Sequence, residues 1–130
     1  MLSERELESC YLGQFIPVHY HHNMLMDSNR MHSFRAAIAH VVRPGMKVLE
    51  LGGGTGALSF FAAQRAAKVY CVDFNPDMVA EARRFLAMNR GGDKVEVIHA
   101  DAFEYLPPEP VDVVICEMIH AAMLREKQVE

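Results

Sequence analysis

The sequence predicts an α/β fold built on a doubly wound, mostly parallel sheet. Short aliphatic runs that end in glycine or an acidic residue alternate with longer segments of helical periodicity. The first unit, residues 46–67, contains a strand, a glycine turn and an alanine-rich helix in that order. Because parallel strands need crossover connections, this alternation favours a parallel sheet that is covered on both faces.

Four strands are expected, each a β-branched or aliphatic run of four to seven residues. They cover residues 46–51, 68–73, 94–100 and 111–116. An acidic residue ends or follows every one of them. These residues are Glu50, Asp73, Asp101 and Glu117. The carboxyl ends of parallel strands meet at one edge of a sheet, which is where ligands bind in open α/β sheets, so we expect the four carboxylates to lie near one site.

Helical spacing of apolar residues predicts helices over 27–42, 56–67 and 75–91. Asp27 or Ser28 is the N-cap expected for the first helix, and Asn75 for the third, which has Gly91 as its stop. The inward face of the third helix is predicted to contain Met78, Val79, Ala82, Phe85 and Leu86. The helices therefore alternate with the strands, as crossovers require.

The chain has one candidate boundary, near residue 44. We expect residues 1–44 to form an N-terminal helical cap over the site and residues 45–130 to form the sheet core, together as one domain. The sheet is expected to be incomplete at the C-terminus. Two interpretations stay open: the N-terminal part of a longer protein, or a minimal version that pairs with another chain, such as a second copy, to cover its edge.

Composition excludes some classes and leaves others unsupported. The 130 residues are 51% hydrophobic and carry a formal net charge of -4, which gives no basic field for nucleic acid. No apolar run approaches the length needed to span a membrane. The cysteines Cys10, Cys71 and Cys116 are far apart and odd in number, so we expect reduced, buried cysteines in a cytoplasmic protein.

The glycine loop after the first strand combines close approach with negative charge. Its glycines Gly52 and Gly54, with Ala57, give a relaxed match to the dinucleotide-binding fingerprint, which would predict an NAD-dependent oxidoreductase. A pyrophosphate near Glu50 would be repelled by roughly 4 kcal/mol at an effective dielectric of 20. Asp73 suits the hydroxyls of a ribose. The residues therefore favour a nucleoside with a cationic arm.

In these motifs the sequence resembles the Rossmann-like, S-adenosylmethionine-dependent methyltransferases. The resemblance lies in "ELGGGTG" (50–56), "VYCVDFNPDM" (69–78) and "HADAFE" (99–104). It implies that Glu50 and the glycines Gly52, Gly54 and Gly56 approach the methionine portion of the cofactor. It further implies that Asp73 holds the ribose hydroxyls, and that Asp101 and the backbone of Ala102 meet the adenine edge. The ligand implied has an ammonium and a sulfonium but no phosphate.

Two further stretches are similar to one branch of that family, the protein arginine methyltransferases. The segment 21–38 matches the branch's cofactor-covering helices, with the matching residues His21, Met24, Leu25, Asp27, Arg30 and Ile38. The resemblance implies that Arg30 pairs with the cofactor's carboxylate. It also implies a pair of substrate-clamping glutamates, Glu117 and Glu126, that hold a guanidinium. However, "MIH" (118–120) replaces the aromatic and glycine residues of the branch, and "AAMLREKQ" (121–128) also fits a helix with Glu126 in solvent.

The expected function is methyl transfer to a basic nitrogen such as a guanidinium or amine. A methyltransferase acting on RNA or a small molecule, and a cofactor-binding module without its own chemistry, stay open. The histidines 19, 21, 22 and 32 form no metal motif, so no metal is expected. His21 is instead expected to cover the cofactor.

Overall fold

A parallel sheet of four strands forms the centre of the protein, whose computed structural model describes residues 24–117. The strands are β1 (Lys47–Leu51), β2 (Lys68–Asp73), β3 (Val95–His99) and β4 (Val113–Cys116). They lie in the order β3-β2-β1-β4, and every neighbouring pair is parallel. The predicted α/β sheet and its four strands are confirmed, within two residues at each end.

The register brings the carboxyl ends of the strands to one edge. Glu50 lies between Cys71 of β2 and Ile115 of β4, and Asp73 lies opposite His99 of β3. Strand β1 is paired with β2 on one side and with β4 on the other, so the strand order reverses there. This reversal is the position at which open α/β sheets bind ligands.

Three helices precede or connect these strands. They are α1 (Ser28–Val41), α2 (Ala57–Ala63) and α3 (Pro76–Ala87). Asp27 caps α1 by accepting from the backbone N–H of Arg30 at 3.0 Å, and Asn75 caps α3 by accepting from Asp77 at 3.0 Å. Both expected N-caps are confirmed, because each side chain satisfies an N–H group that the first turn leaves unpaired. No helix within residues 24–117 is long and apolar enough to cross a bilayer.

Helix α3 ends earlier than its sequence predicts. Its last residue is Ala87, while Gly91 lies at a positive φ of 88° and begins a 3-10 turn over Gly92–Lys94. The side chain of Asn89 donates to the Phe85 carbonyl at 2.6 Å, which a continuing helix would offer to the backbone N–H of Asn89. The expected stop at Gly91 is therefore wrong by about one helical turn. Of the expected inward face, all but the half-buried Phe85 are buried.

The two faces of the sheet are covered differently. Helices α1 and α2 pack on one face in a core that includes Ile38, Ala62 and Val69. Helix α3 packs on the same face, where Ala82 belongs to a cluster with Cys71. The opposite face, which includes Leu49, Tyr70 and Val72, is covered by the connection between β3 and β4 through Tyr105 and Val111. Both faces are thus covered, the second by a loop within the described residues.

The expectation that the cysteines are buried holds for Cys71 and is wrong for Cys116. Both are free thiols, but Cys116 is exposed. Strand β4 has β1 as its neighbour on one side, and alternate β4 residues face away from the helices. Val114, which shares that face with Cys116, is 54% exposed. Cys10 lies outside the described residues.

Candidate functional site

Glu50 is a buried carboxylate at the end of the central strand. Only 2% of its surface is exposed. The Ser59 hydroxyl, from the first turn of α2, donates to its Oε2 at 2.6 Å. The glycine loop turns the chain back so that α2 starts directly above β1, and this brings Ser59 to Glu50. The carboxylate is thereby held by a helix on the same face of the sheet.

Burial dominates the protonation of Glu50. Desolvation raises its pKa to about 8, hydrogen bonds from the Ser59 side chain and backbone lower it, the Asp73 charge raises it and Arg30 lowers it. At neutral pH the carboxyl is therefore mostly protonated. A cationic ligand group placed beside it would favour the charged form and bring the pKa down. Desolvation also raises the pKa of the neighbouring Cys71 thiol, which stays protonated.

The glycine loop runs directly against the second strand. Gly53 donates its backbone N–H to the Val72 carbonyl at 3.0 Å. A Cβ at Gly53 would lie 2.2 Å from the Cys71 sulfur, so a side chain has no room there. Gly56 begins α2 with a φ of 83°, a conformation that favours glycine. The loop therefore needs glycine for close packing at one position and for backbone conformation at another.

Asp73 ties the glycine loop to the end of β2. Its Oδ2 accepts from the backbone N–H of Gly54 at 2.8 Å, and its Oδ1 accepts from that of Asn75 at 2.8 Å. A carboxylate offers about four acceptor sites, so both oxygens keep capacity for a ligand's hydroxyls. The side chain is half-buried. Asp73 therefore both shapes the loop and presents acceptor atoms at its edge.

Asp101 and Ala102 lie beside Asp73, beyond the end of β3. The backbone N–H of Ala100 donates to the Asp73 carbonyl at 3.1 Å, which extends the pairing of the two strands. Asp101 Oδ1 accepts from the N–H of Phe103 at 2.9 Å, and its carbonyl accepts from Tyr105 at 3.0 Å. These bonds fix a turn in which Asp101 and Ala102 are both half-buried.

Arg30 on α1 pairs with Glu117 at the end of β4. Its Nη2 donates to Glu117 Oε2 at 2.6 Å, and both side chains are 24% exposed. The Arg30 guanidinium carbon lies 5.0 Å from the centre of the Phe34 ring. Because the Arg30 and Asp73 charges both act on Glu50, these four groups share one electrostatic neighbourhood.

The residues predicted to bind a ligand are in part brought together. Glu50, Asp73 and the glycines Gly52, Gly54 and Gly56 border the loop, and Arg30 meets Glu117. Two predicted residues, His21 and Glu126, lie outside the described residues, as do the histidines 19 and 22. His32 is exposed on α1. Within residues 24–117, no group of three or more possible metal ligands is found.

Two residues of the site were missed by sequence reasoning, Ser59 and Gly53. Ser59 lies in an alanine-rich helix, where a serine is unremarkable, and only the packing of α2 above β1 brings it to Glu50. Gly53 lies between two of the predicted glycines, and only the contact with the Cys71 sulfur explains it. No sequence spacing signals either contact.

The arrangement offers complementary charges around one loop. A buried acid can meet a cation, Asp73 can accept from hydroxyls, and a guanidinium can bind a carboxylate through two parallel hydrogen bonds. A group that carries an ammonium, a carboxylate and a ribose fits this set. A pyrophosphate does not, because it would lie beside Glu50 and Asp73.

Comparison with known proteins places these features in a family. A family described as methyltransferase domain matches residues 48–130. An uncharacterized protein of Methanocaldococcus jannaschii, MJ1452, is 36% identical over 111 residues, covering 85% of this chain and 42% of its own length. A probable protein arginine N-methyltransferase 6.1 of Oryza sativa subsp. indica is 33% identical over 124 residues, covering 93% of this chain and 32% of that protein. The chain thus spans less than half the length of these relatives.

Solved structures agree with the fold. The Trypanosoma brucei PRMT1 enzyme-prozyme heterotetrameric complex with AdoHcy superposes with a TM-score of 0.71 and 35% identity, over 77% of this chain and 32% of that one. Arabidopsis thaliana protein arginine methyltransferase 10 gives a TM-score of 0.71 and 33% identity, over 79% of this chain and 30% of that one. The chain resembles the part of these enzymes that contains the parallel sheet, and it belongs to the methyltransferase domain family.

Proposed function

We propose that this chain is the cofactor-binding part of an S-adenosylmethionine-dependent methyltransferase that methylates a basic nitrogen, such as a guanidinium or amine. The observation that carries the proposal is the buried Glu50 beside the glycine loop, with Asp73 bonded to Gly54 of that loop. The similarity to protein arginine methyltransferases supports the same function. S-adenosylmethionine supplies a methyl group on a sulfonium, which a nucleophilic nitrogen can accept.

The residues present fit this cofactor. Glu50 is a buried acid that has one hydroxyl partner at 2.6 Å and gains a counter-charge from an ammonium. Asp73 keeps acceptor capacity for ribose hydroxyls beyond its two backbone partners. Arg30 supplies the guanidinium for the carboxylate, and the turn at Asp101 and Ala102 stands beside Asp73 for the adenine edge. His21 is proposed to cover this site.

Glu117 is proposed to act on the acceptor. It follows β4, which pairs with the strand that ends at the glycine loop. A carboxylate there attracts a cationic or amine acceptor and orients its nitrogen, so that catalysis comes from positioning and charge. Glu126 is proposed as the second carboxylate of this clamp.

Domain organisation, compartment and assembly belong to the same proposal. Residues 1–44 act as a cap and residues 45–130 as the core of one domain, which is supported by the packing of Ile38 and Val42 of α1 into the cluster that contains Val48. The free thiols of Cys71 and Cys116 support a cytoplasmic protein. A homo-oligomer is also proposed, since a structural neighbour is a heterotetrameric complex.

Two experiments test the function. Calorimetric titration with S-adenosylhomocysteine and with NAD separates the methyltransferase from an oxidoreductase, and binding of NAD alone would contradict the proposal. Transfer from radiolabelled cofactor is then measured on the longest natural polypeptide that contains this chain. An arginine-rich peptide, a structured RNA and small amines are offered side by side.

The variant Glu117→Gln identifies the acceptor class. It keeps the shape and removes the charge, so transfer to a basic acceptor should fall about 10²-fold or more, which is what one preorganised electrostatic contact supplies. Glu81→Gln, on the exposed side of α3, is the matched control and should leave transfer unchanged. Transfer to RNA or a neutral hydroxyl that is insensitive to Glu117→Gln would overturn the basic acceptor.

A further inference from the structure

One guanidinium has two carboxylates to serve. The structure pairs Arg30 with Glu117 at 2.6 Å, across 87 positions of sequence. Under the proposed function, on which this inference rests, the cofactor brings a second carboxylate for the same guanidinium, and Glu117 is needed for the acceptor. The two assignments use both partners of one ion pair, so they cannot be independent.

The surroundings hold Arg30 in place more firmly than Glu117. Its backbone N–H is bonded to Asp27 at the start of α1, and Nη1 contacts the Met31 sulfur at 3.5 Å. The guanidinium lies over Phe34, which packs against the main core cluster. Glu117, in contrast, follows the last residue of β4. A change of partners therefore moves Glu117 while the guanidinium stays.

The local charge balance makes the two carboxylates competitors. Glu50, Asp73 and Glu117 are acidic, and Arg30 is the cation that acts on Glu50 among the residues described. An added carboxylate has no other described cation in that set to neutralise it. Its binding to Arg30 weakens the hold of Arg30 on Glu117, because two anions then share one positive charge.

We propose that Arg30 is a shared counter-ion through which cofactor binding prepares the acceptor site. The cofactor's carboxylate takes the guanidinium from Glu117, and Glu117 is left with an uncompensated negative charge that attracts the basic acceptor. By linkage, any coupling between the two sites is reciprocal. Arg30 is in this sense a positioning residue for Glu117 as well as a ligand-binding one.

The test compares two ligands that differ in the amino-acid group. S-adenosylhomocysteine carries the carboxylate, whereas 5′-methylthioadenosine keeps the nucleoside and the sulfur but lacks the amino-acid group. Affinities are measured by calorimetry on the full chain for wild type, Glu117→Gln, Arg30→Ala and the double variant. Arg35→Ala on the same helix and Glu81→Gln on α3 are matched controls for charge, since both residues are exposed.

The expected result is specific to ligand and background. Glu117→Gln should tighten S-adenosylhomocysteine binding by about two- to tenfold, as expected when a partly exposed ion pair no longer has to be broken. Binding of 5′-methylthioadenosine should stay within about twofold. The gain from Glu117→Gln should at least halve when Arg30 is already alanine. Arg30→Lys, which keeps the charge but not the fork, replaces Arg30→Ala if the latter does not fold.

Each contrary outcome has a definite meaning. Unchanged or weaker S-adenosylhomocysteine binding in Glu117→Gln overturns the shared counter-ion, and so does a gain for both ligands. A gain of equal size with and without Arg30 means direct repulsion between carboxylates, which also overturns it. If wild type binds neither ligand, the proposed function itself fails, so the two failures are distinguishable.

Discussion

The variant Glu50→Gln should make cofactor binding less dependent on pH, because wild-type Glu50 must lose a proton when a cation binds beside it. Burial is the largest cause that raises its pKa to about 8, and hydrogen bonds from Ser59 oppose it. At pH 7 such a group is about nine-tenths protonated. The proton must leave before the carboxylate can meet an ammonium.

The size of this effect follows from the pKa. Holding Glu50 deprotonated at pH 7 costs about 1.4 kcal/mol, or tenfold in affinity, and at pH 6 about a hundredfold. The bound state holds fewer protons than the free state, so the affinity rises with pH and levels off near the folded pKa of about 8. In Glu50→Gln this contribution is absent, and the Ser59 hydroxyl can still donate to the amide oxygen.

Calorimetry in two buffers of different ionisation enthalpy measures the protons released. For S-adenosylhomocysteine at pH 7 we expect about one more proton from wild type than from Glu50→Gln. The ligand's own amine titrates in both experiments, so the difference belongs to Glu50. Equal proton release, or an equal slope of affinity against pH, would refute the reasoning.

The same pKa has a consequence for stability. Because the folded pKa lies above the unfolded value of 4.5, the stability that Glu50 contributes is complete below that value and is lost as pH rises through about 8. We therefore expect the melting temperature of wild type, relative to Glu50→Gln, to fall between pH 6 and pH 9.

Three further predictions concern the loop and the cap. Asp73→Ala should weaken S-adenosylhomocysteine binding by about 1.5–3 kcal/mol, and unchanged affinity in a folded variant would exclude the ribose assignment. The segment 20–35 should gain protection from hydrogen exchange when cofactor binds, whereas equal protection would indicate a merely structural helix. Gly53→Ala should destabilise the fold by about 1–3 kcal/mol in thermal unfolding, since its Cβ would meet the Cys71 sulfur at 2.2 Å. Adding Cys71→Ala should restore part of that loss, and no recovery would contradict the steric cause.

Local chemistry explains which elements were predictable. The strands end where glycines or acids follow, and the N-caps Asp27 and Asn75 each accept from a first-turn N–H, as short-range rules require. The end of α3 was missed because Asn89 takes the Phe85 carbonyl by its side chain, a choice that helical periodicity does not encode. The exposure of Cys116 depends on how β4 is covered, which its own sequence cannot state.

The site was predictable in its parts and not in its contacts. Acids at strand ends could be assigned because parallel strands share an edge. The bond from Ser59 to Glu50 depends on the turn made by the glycine loop, and the pair of Arg30 and Glu117 joins residues 87 positions apart. No spacing rule covers a contact of that separation. Each residue could therefore receive a role singly, while the competition between two roles became visible only in three dimensions.

The charges at this edge explain why a glycine-rich loop can carry an acid. A phosphate would need positive charge at Glu50, where the structure has a carboxyl that burial keeps largely neutral. An amino-acid group presents an ammonium and a carboxylate together, and the chain has an acid at β1 and a guanidinium on α1 to meet them. Neither residue alone distinguishes such a ligand from a dinucleotide. Their combination does, because a dinucleotide supplies anions at both positions and would leave Glu50 without a partner.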